Sequence, residues 1–419
     1  MSQHPPTPQH NPARRAAVKI AQVLNEAGHT AYLAGGCVRD ELLGVVPTDY
    51  DVATDATPDK VRQLFRNSKY VGEAFGVVLV RLMGQEVEVA TFRSESGYSD
   101  GRRPDEVRFT DAREDAKRRD FTINGLFEDP TTNQVIDFVG GQEDLRLGII
   151  RAIGNPEERF AEDYLRMLRA VRFAARLGFT IEPATAAAIR QHAPKLERIS
   201  RERIGQEVHG MLTGPRPAQA ATMLQDLTLD APTLQEPHRC VALPTLVALG
   251  PNLPYPCALA AWMIDRHLGE RVREGEPGSL VPVLRGWRRA LCLSNDERDA
   301  VKAMLSQFPV ALRWDGLSVA QRKRLLAHTI WPQLWLLLRA LGQAYGLEEQ
   351  VSRINQDAVA LLSEGVAPPP LITGDDLIAM GMEPGPRFRQ ILDAVYDEQL
   401  EGRLHSREQA LQWVSQREM

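Results

Sequence analysis

The fold is decided by one stretch of sequence, Gly35-Gly36-Cys37-Val38-Arg39-Asp40, with Thr48-Asp49-Tyr50-Asp51-Val52 shortly after it. The apolar run at 31–34 predicts a strand, the two glycines a turn, and residues 38–43 a short helix that ends before Gly44. A glycine-rich turn leading into a helix N-terminus presents free N–H groups and the positive end of the helix dipole to a phosphate. We therefore expect Gly36 and Arg39 to bind phosphate oxygens, Arg39 as a cation in the first helical turn.

Asp49 and Asp51 form the second half of this pattern. On a strand, alternate side chains share a face, so both carboxylates would point the same way. Two adjacent carboxylates repel each other unless a cation lies between them, and carboxylate oxygens suit Mg²⁺. The ordinary alternative is a surface strand with two solvated aspartates, but the glycine turn upstream argues against it. We predict that Asp49 and Asp51 are catalytic residues and metal ligands.

Length and composition set broad limits. The 419 residues are enough for two to four domains, and 43% hydrophobic with 25% charged residues is ordinary for a globular protein. No run approaches the ~20 apolar residues of a membrane span, and the polar start lacks a secretory signal. Four cysteines without metal or disulfide spacing fit a reducing compartment. These features predict a cytoplasmic protein with no membrane partner. The net charge of −5 argues against broad nonspecific nucleic-acid binding but leaves room for a local basic groove.

Two β-rich runs, 75–83 and 86–92, predict a hairpin around Gly84. Glu88 in the second run has two open interpretations, a third carboxylate beside the aspartate pair or a solvent-facing residue, so it stays outside the predicted site. The polar residues 94–106, which include Gly97 and Gly101, predict a mobile loop.

Two charged segments follow. Residues 111–127 predict a helix that carries Lys117-Arg118-Arg119-Asp120-Phe121-Thr122-Ile123-Asn124. Asn155-Pro156 predicts the start of a long helix on which Arg166, Arg169, Arg172 and Arg176 share about a third of the circumference. Little acid lies beside these arginines in the sequence. We therefore expect them to bind an anion, a triphosphate or RNA backbone, the alternative being a face paired with acids from elsewhere.

Asp163 and Arg166 lie one helical turn apart, which permits a specific mechanism. Cytosine and adenine both present an amino donor beside a ring-nitrogen acceptor, so a carboxylate and a guanidinium together accept either base. Uracil and guanine reverse that order and leave both groups mismatched, at a cost of about 1–3 kcal/mol each. The pair therefore predicts selection of C and A without a template.

The rest of the chain is predicted to be helical. The order is a disordered tail at 1–13, an α/β head at 14–154, a helical neck at 155–214 and a helical body and tail at 215–419. Residues 331–345 are apolar on most sides and should lie in the core. The sequence contains no His-Asp dipeptide, Walker loop or Cys/His cluster.

These motifs resemble those of polymerase-β-superfamily nucleotidyltransferases, in detail the class II group of CCA-adding enzymes and bacterial poly(A) polymerases. The resemblance is strong over residues 31–212 and weaker beyond. It implies an α+β fold, with a small mixed-sheet polymerase-β-like head followed by an all-helical neck, body and tail. It also implies that Arg119 reaches the nucleotide phosphates, that Asp163 and Arg166 read the base, and that Arg169 and Arg172 contact base or phosphates. Tyr164 stands where proline is frequent in the family motif.

The activity that this resemblance implies is addition of C-C-A to the 3′ end of tRNA from CTP and ATP, with Mg²⁺ as cofactor and pyrophosphate released. The partner that the resemblance implies is the tRNA 3′ end with its acceptor stem. The helical tail would hold the body of the tRNA, and no protein partner is inferable. A poly(A) polymerase remains an alternative, although Phe75-Gly76-Val77-Val78 and the absence of a strongly basic tail weigh against it. Addition of CC or A alone is open, and the loop at 94–106 makes CC alone less favoured. A catalytically silent RNA-binding protein is a further alternative, which the intact aspartate pair argues against.

Overall fold

The computed structural model describes residues 11–72, 76–96, 106–274 and 278–418. The chain divides into two compact units, Met1–Met211 with Gln219–His238, and Leu212–Ala218 with Arg239–Met419. The first unit carries a mixed sheet and the later part of the chain is helical, which confirms the predicted α+β class.

The strands are named in chain order. They are β1 Ala31–Ala34, β2 Asp51–Thr54, β3 Ser68–Gly72, β4 Val77–Leu82, β5 Gln85–Thr91, β6 Arg93–Ser96, β7 Glu106–Phe109, β8 Leu126–Asp129, β9 Gln134–Asp137, β10 Ile149–Ile150 and β11 Thr180–Ile181. The main sheet has the order β3-β4-β5-β2-β1-β8-β9. Strands β2 and β5 pair in parallel, and the other neighbours in this sheet are antiparallel.

Helices up to residue 234 are α1 Pro12–Glu26, α2 Gly36–Leu42, α3 Pro58–Leu64, α4 Ala112–Lys117, α5 Gly141–Leu147, α6 Pro156–Glu162, α7 Leu165–Leu177, α8 Pro183–His192, α9 Arg201–Leu212, α10 Pro217–Asp226 and α11 Asp230–Leu234. Later helices are α12 Pro244–Leu249, α13 Tyr255–His267, α14 Val281–Leu291, α15 Asn295–Leu312, α16 Val319–Ala327, α17 Trp331–Tyr345, α18 Glu348–Glu364, α19 Gly374–Ala379, α20 Pro386–Leu400 and α21 Arg407–Glu418. Among the described residues, none of these helices has the length and apolar character needed to cross a bilayer.

The predicted hairpin around Gly84 is confirmed. Strands β4 and β5 pair from Val77↔Ala90 to Leu82↔Gln85, and Met83 and Gly84 form a two-residue turn with φ of 52° and 76°. Positive φ at both central residues is the geometry of a type I′ turn, whose twist matches that of the flanking strands.

The two faces of the main sheet are covered differently. One face buries valines of β2, β4 and β5 completely against α1 and α3. The other face carries a cluster of Tyr32, Phe92 and Phe127, which packs under Ala112 and Ala116 of α4. Asp51 begins β2 opposite Ala34, the last residue of β1, so it lies where the glycine turn leaves the sheet.

The predicted helix over 111–127 is wrong in its second half. Asp111 caps α4 as expected, but the helix ends at Lys117. Beyond it, the Asp120 carboxylate accepts the N–H of Phe121, and Phe121 forms a β-bridge with Ala152. A short acidic side chain that binds its own backbone offers an alternative to helical hydrogen bonds.

The predicted long helix from Pro156 is also wrong in one respect, since it is two helices. Asn155 caps α6 as expected, but Asp163 has extended backbone angles (φ −149°, ψ 105°) and separates α6 from α7. Its carboxylate accepts the N–H of Leu165 at 3.0 Å, which starts the second helix.

Two other predictions fall partly outside the described residues. Helix α1 begins at Pro12 with Asn11 as its cap, so the end of the expected tail is helical, and residues 1–10 lie outside the description. The flanks of the expected loop at 94–106 instead form the antiparallel strands β6 and β7, and residues 97–105 lie outside the description, as does Phe75.

In the second unit, α17 confirms the predicted core segment. Its side chains Leu334, Leu337, Leu338 and Leu341 are fully buried. It packs against α12, α13 and α15. Burial of apolar surface of this kind is the main stabilising contribution to a helical domain.

Candidate active site

A cleft of about 570 Å³ in the first unit gathers the predicted site residues. Its lining includes Gly36, Arg39, Asp51, Arg119, Asp163, Arg166, Arg169 and Arg172. Asp49 is not part of this lining and precedes β2 rather than belonging to it, but it lies near enough to Asp51 to repel its charge. The structure therefore brings together side chains from three separate parts of the sequence.

The glycine turn forms one side of the cleft. Gly35 has φ of +74°, and its N–H donates to the carbonyl of Leu126 at 2.9 Å. A Cβ at this position would lie 2.7 Å from Nη1 of Arg119, so any larger residue would be strained and would displace that guanidinium. Gly36 begins α2 beside it. Gly36 was predicted from the sequence as a site residue and Gly35 was not, because glycine is required at position 35 by the distant Arg119.

Arg39 forms the floor beneath this turn. Its side chain is 3% exposed, Nε donates to Asp40 at 2.7 Å, and Nη1 donates to Oδ1 of Asn124. Burial lowers the pKa of Arg39, and the Asp40 carboxylate opposes that shift. Most of the N–H donors of Arg39 are already bonded to protein groups. Arg39 therefore contributes mainly its positive charge to the electrostatic potential of the cleft.

An acidic edge, defined as Asp49, Asp51 and Glu88, borders the cleft on the side of β5. Val52 pairs with Val89 in the parallel ladder, so Asp51 and Glu88 precede matching positions on neighbouring strands. Although Asp51 is accessible to solvent, the surrounding protein reduces its hydration, and this desolvation together with Glu88 and Asp49 raises its pKa to about 6. Arg119 opposes the shift.

This donor set fits a hard divalent cation. Within the described part of the chain, these three carboxylates have no ion-pair partner. Among the same residues, no group of three acidic, histidine or cysteine side chains converges as a complete metal cage. Mg²⁺ is usually held by one or two carboxylates, with waters and substrate phosphates completing its shell, so the pair Asp49 and Asp51 is compatible with it.

Arg119 faces the acidic edge and is held in place by α4. Its Nε and Nη2 donate to Oδ2 of Asp115 at 3.2 and 3.1 Å, and Nη1 donates to the carbonyl of Asn124 at 3.1 Å. The ring of Phe127 lies 4.9 Å from the guanidinium carbon. A guanidinium has five N–H donors, so two remain for a ligand.

Asp163 lies at the break between α6 and α7. Its carboxylate accepts from Arg203 Nη2 at 2.6 Å and from Nη1 at 3.4 Å, in addition to the N–H of Leu165. About four lone-pair positions are available on an ionised carboxylate, so one is left to accept from a base. Arg203 of α9 was missed by the sequence analysis, since nothing local in the sequence connects it with Asp163.

Arg166 is held on the same wall of the cleft. Its Nη1 donates to the carbonyl of Arg159 at 3.0 Å and to Glu162, and its Nη2 donates to the carbonyl of Arg118 at 3.3 Å. Two of its five donors are left over. The backbone N–H of Arg166 donates to the carbonyl of Asp163 at 3.0 Å, whereas the described contacts of the two side chains are with other groups, and each side chain retains capacity to bind a ligand.

The expectation that the arginines of α7 lack acidic partners is wrong. The arginine wall, defined as Arg166, Arg169, Arg172 and Arg176, is paired throughout with acids from α6, the segment after α4, α9 and α2. The partners are Glu162 for Arg166, Asp120 for Arg169 (2.7 Å), Glu207 for Arg172 (2.6 Å) and Asp40 for Arg176 (2.9 Å). All but the first lie more than 30 residues away in sequence, which is why composition near the arginines gave no signal.

Asp120 shows how strongly these pairs are coupled. It is 9% exposed, and burial by itself would raise its pKa. The guanidinium of Arg169 and a hydrogen bond from Asn124 overcome that effect and lower the pKa of Asp120 to about 2. The carboxylate therefore stays charged and fixes Arg169 at the cleft.

Phe173 was also missed. Its ring lies 4.6 to 5.2 Å from the guanidinium carbons of Arg39, Arg169 and Arg172, and it packs edge-on against Phe121 at 5.9 Å. An aromatic ring beside several cations lowers their mutual repulsion through its quadrupole.

Comparison with family models gives two matches along the chain. Residues 31–151 match the poly A polymerase head domain, and residues 178–238 match a segment described as the probable RNA and SrmB-binding site of polymerase A. The first match contains the glycine turn, the acidic edge and Arg119.

Comparison with individual proteins extends over almost the full length. The chain is 37% identical over 397 residues to the CCA-adding enzyme of Lactiplantibacillus plantarum, covering 91% of this chain and 90% of that protein. It is 35% identical over 419 residues to the CCA-adding enzyme of Enterococcus faecalis, covering 95% and 94%. The crystal structure of the Bacillus stearothermophilus CCA-adding enzyme in complex with CTP superimposes with a TM-score of 0.74 at 30% identity, covering 97% of this chain and 98% of that one.

Proposed function

The chain belongs to the family of CCA-adding enzymes, and from that premise we propose how the residues of its cleft divide the work of nucleotidyl transfer. The reaction is addition of C, C and A to the 3′ end of tRNA from CTP and ATP. In each cycle the 3′-hydroxyl of the RNA attacks the α-phosphate of the bound nucleotide, and pyrophosphate leaves.

The triphosphate lies against the glycine turn. The N-terminus of α2 at Gly36 presents N–H groups to it, and the two remaining donors of Arg119 reach its oxygens. Arg39 contributes positive charge from the floor, and Arg169 and Arg172 contact the base or the phosphates from the arginine wall. These contacts place the α-phosphate next to Asp51, since Asp51 and Arg119 line the same cleft.

Enzymes of this family work with a divalent metal cation. We propose that it is Mg²⁺ and that Asp49 and Asp51 hold it. Held by these two carboxylates, the metal would supply activation of the attacking hydroxyl and stabilisation of the charge that develops on the phosphate oxygens. The mutual repulsion within the acidic edge supports this assignment, since a cation between the carboxylates removes it.

Base selection belongs to Asp163 and Arg166. The free acceptor position on Asp163 takes the amino group of cytosine or adenine, and a spare donor of Arg166 takes the ring nitrogen. Arg203, Glu162 and two backbone carbonyls hold the two side chains still. Because the two side chains are held rigidly, they cannot move to pair with the wrong base, and binding of that base carries the full free-energy penalty of an unpaired polar group.

The parts of the chain are assigned as follows. Residues 14–154 form the catalytic head, 155–214 the neck that reads the base, and 215–419 the body and tail that bind tRNA. Duplex RNA is recognised largely by shape and backbone contacts, so the helical part needs no sequence code. We assign the protein to the cytoplasm because the spacing of its four cysteines fits a reducing compartment and because its substrates are found there.

A single observation carries this proposal, namely that the glycine turn, Asp51 of the acidic edge and the arginine wall meet in one cleft. The test is to incubate the protein with Mg²⁺, CTP, ATP and three tRNA transcripts that end before C-C-A, after C and after C-C. Products are resolved at single-nucleotide length. We expect all three transcripts to end at a completed C-C-A.

Other outcomes would contradict the proposal in recognisable ways. Extension of only the C-C transcript would identify an A-adding enzyme, and a stop after C-C would identify a CC-adding one. A long ladder of A would identify a poly(A) polymerase, the activity named in the head-domain match. Absence of extension of any transcript would point to an RNA-binding protein without catalysis.

A further inference from the structure

The proposed nucleotide cleft lies to one side of Asp51 in the sheet. Its lining comes from the turn after β1, the segment before β8, and α7, and it includes Asp51 from β2. In the strand order β3-β4-β5-β2-β1-β8-β9, the turn and the segment before β8 adjoin β1 and β8. Strands β5, β4 and β3 extend away from Asp51 on the opposite side.

The chemistry requires the RNA to arrive from that opposite side. In phosphoryl-type transfer, the attacking and leaving oxygens are roughly in line through the phosphorus atom. The leaving pyrophosphate lies against the glycine turn beside β1. The attacking 3′-hydroxyl must therefore approach over β5, and the RNA behind it must pass over β4 and β3.

The register of the sheet places one row of side chains along this path. Lys69 of β3 pairs with Leu79 of β4, and Leu79 pairs with Glu88 of β5. Glu88 in turn lies beside Asp51 across the parallel ladder. Directly paired residues in a sheet point to the same face, so these four side chains share a face.

An independent contact confirms the direction in which Lys69 points. The next residue, Tyr70, has its ring 4.5 Å from the guanidinium carbon of Arg62 on α3, so it faces the side that α3 covers. Because successive side chains on a strand alternate, Lys69 faces the other side, that of Asp51.

Lys69 is an exposed cation without a partner among the residues that the structure describes. Arg81, which shares this face, lies directly opposite Glu86, whereas Lys69 lies opposite the neutral Leu79. Lys69 is therefore a cation on this face that has no carboxylate opposite it on the neighbouring strand. A lysine ammonium in this position suits a passing phosphate.

We propose that the 3′ end of the RNA runs across β5, β4 and β3 and that Lys69 binds its backbone upstream of the reacting hydroxyl. Three strand spacings separate Lys69 from Asp51, about 14 Å, which places the bound phosphate about two or three nucleotides from the 3′ end. Lys69 is a positioning residue for the RNA and has no role in the transfer itself. The proposal deepens the proposed function and rests on it.

The test combines a variant with a chemical change in the RNA. The substrate is tRNA ending in C-C, with a neutral methylphosphonate placed in turn at each of the last four linkages. In the wild-type protein, we expect the linkage two or three from the 3′ end to raise KM for RNA by about three- to tenfold, the loss of one exposed charge-assisted contact. In Lys69→Ala, we expect KM for unmodified RNA to rise by the same factor, and a methylphosphonate at that linkage should raise KM no further.

The same experiment separates positioning from catalysis and from folding. At saturating RNA, kcat and KM for ATP should be unchanged in Lys69→Ala. Lys69→Arg should restore most of the RNA affinity. In Lys69→Ala, the salt dependence of kcat/KM for RNA should decrease by the amount expected for the loss of about one phosphate contact. The matched control is Lys60→Ala, an exposed lysine of α3, on the covered side of the sheet, and it should behave as wild type.

Two results would overturn the inference. If the methylphosphonate scan of Lys69→Ala equals that of the wild type, Lys69 does not bind the backbone, although the nucleotidyltransferase assignment stands. If the wild-type protein extends no RNA at all, the proposed function fails and the placement of Lys69 fails with it.

Discussion

The two sides of the cleft differ in whether their charged side chains have partners of opposite charge. On the arginine wall, each of the four guanidiniums of α7 has a carboxylate partner supplied by another segment. On the acidic edge, Asp49, Asp51 and Glu88 have no ion-pair partner among the described residues, and desolvation together with repulsion from Glu88 and Asp49 raises the pKa of Asp51 to about 6.

The difference shows what each side can contribute. Carboxylates without a cationic partner are stabilised when a cation binds between them, so the acidic edge is suited to binding a cationic ligand. Paired arginines have already lost their conformational freedom, so the wall offers a few fixed donors at low entropic cost. In the function we propose, the acidic edge supplies the chemistry, and the wall supplies position and selectivity.

The largest effect is expected from neutralising the acidic edge. Asp51→Asn keeps the size of the side chain but removes the charge that would hold the metal. We expect kcat for nucleotide addition to fall at least about a thousandfold, about 4 kcal/mol of transition-state stabilisation. The measurement is single-turnover addition of A to a tRNA ending in C-C.

The binding of ATP in the absence of metal serves as the control for Asp51→Asn. Because the wall and the glycine turn are untouched, the dissociation constant should change by less than about threefold. Retention of substantial transfer activity in Asp51→Asn would show that the metal is held elsewhere.

The next effect concerns selectivity on the wall. Asp163→Ala removes the proposed acceptor for the amino group of cytosine and adenine. We expect the ratio of kcat/KM for CTP over UTP to fall by about 10- to 100-fold, the cost of one or two mismatched polar contacts. Incorporation of each nucleotide is measured separately on tRNA lacking C-C-A.

Arg203→Ala distinguishes the acceptor from the ion pair that holds it. This variant breaks the contact of 2.6 Å with Asp163 but keeps the carboxylate. Selectivity should fall less than in Asp163→Ala. Equal losses in the two variants would mean that the ion pair shapes the pocket and that Asp163 does not read the base.

The sequence predicted the local parts of both sides and missed their long-range parts. The strand, turn and helix around Gly35 were predictable because apolar runs and glycines with positive φ set backbone geometry over a few residues. The partners of Arg172 and Arg176 come from α9 and α2, and no local pattern indicates them.

The same reasoning explains one question that the sequence left open and one error. Glu88 joins the acidic edge through the parallel register of β2 and β5, which is not visible in either strand alone. At the break, the Asp163 carboxylate accepts the N–H of Leu165 two residues further on, a local contact that helical periodicity on both sides concealed. Tertiary pairing and local hydrogen bonds from side chains override periodicity at these positions.

A smaller effect is expected on stability when one pair of the wall is broken. Since the pKa of Asp120 is lowered to about 2, its charge stabilises the fold fully above the unfolded pKa and loses that contribution as pH falls toward 2. Asp120→Asn should therefore be less stable by about 2 kcal/mol at pH 7, and the difference should shrink below about pH 4.

Hydrogen exchange of the amides of α7 measures this change in the first unit. All six tryptophans, Trp262, Trp287, Trp314, Trp331, Trp335 and Trp413, lie in the second unit, so their fluorescence follows that unit separately as an internal control. A stability difference that stays constant from pH 7 to pH 2 would show that the Asp120 charge is not what the variant removes.

The smallest effect tests the contact that joins the glycine turn to Arg119. Gly35→Ala places a methyl group 2.7 Å from the Arg119 guanidinium and strains a backbone with φ of +74°. Displacement of Arg119 removes donors from the triphosphate. We therefore expect KM for ATP to rise about tenfold, about 1.4 kcal/mol, with a smaller change in KM for RNA.

Gly44→Ala separates the two consequences of that substitution. Gly44 has nearly the same φ, +71°, but nothing lies within 4 Å of the added Cβ. It should therefore share the loss of stability from backbone strain, about 1 kcal/mol, and leave KM for ATP unchanged. If both variants raise KM for ATP equally, strain in the turn controls nucleotide binding and the guanidinium contact does not. If only Gly35→Ala does so, the glycine is required because Arg119 must pass close to the backbone to reach the phosphates.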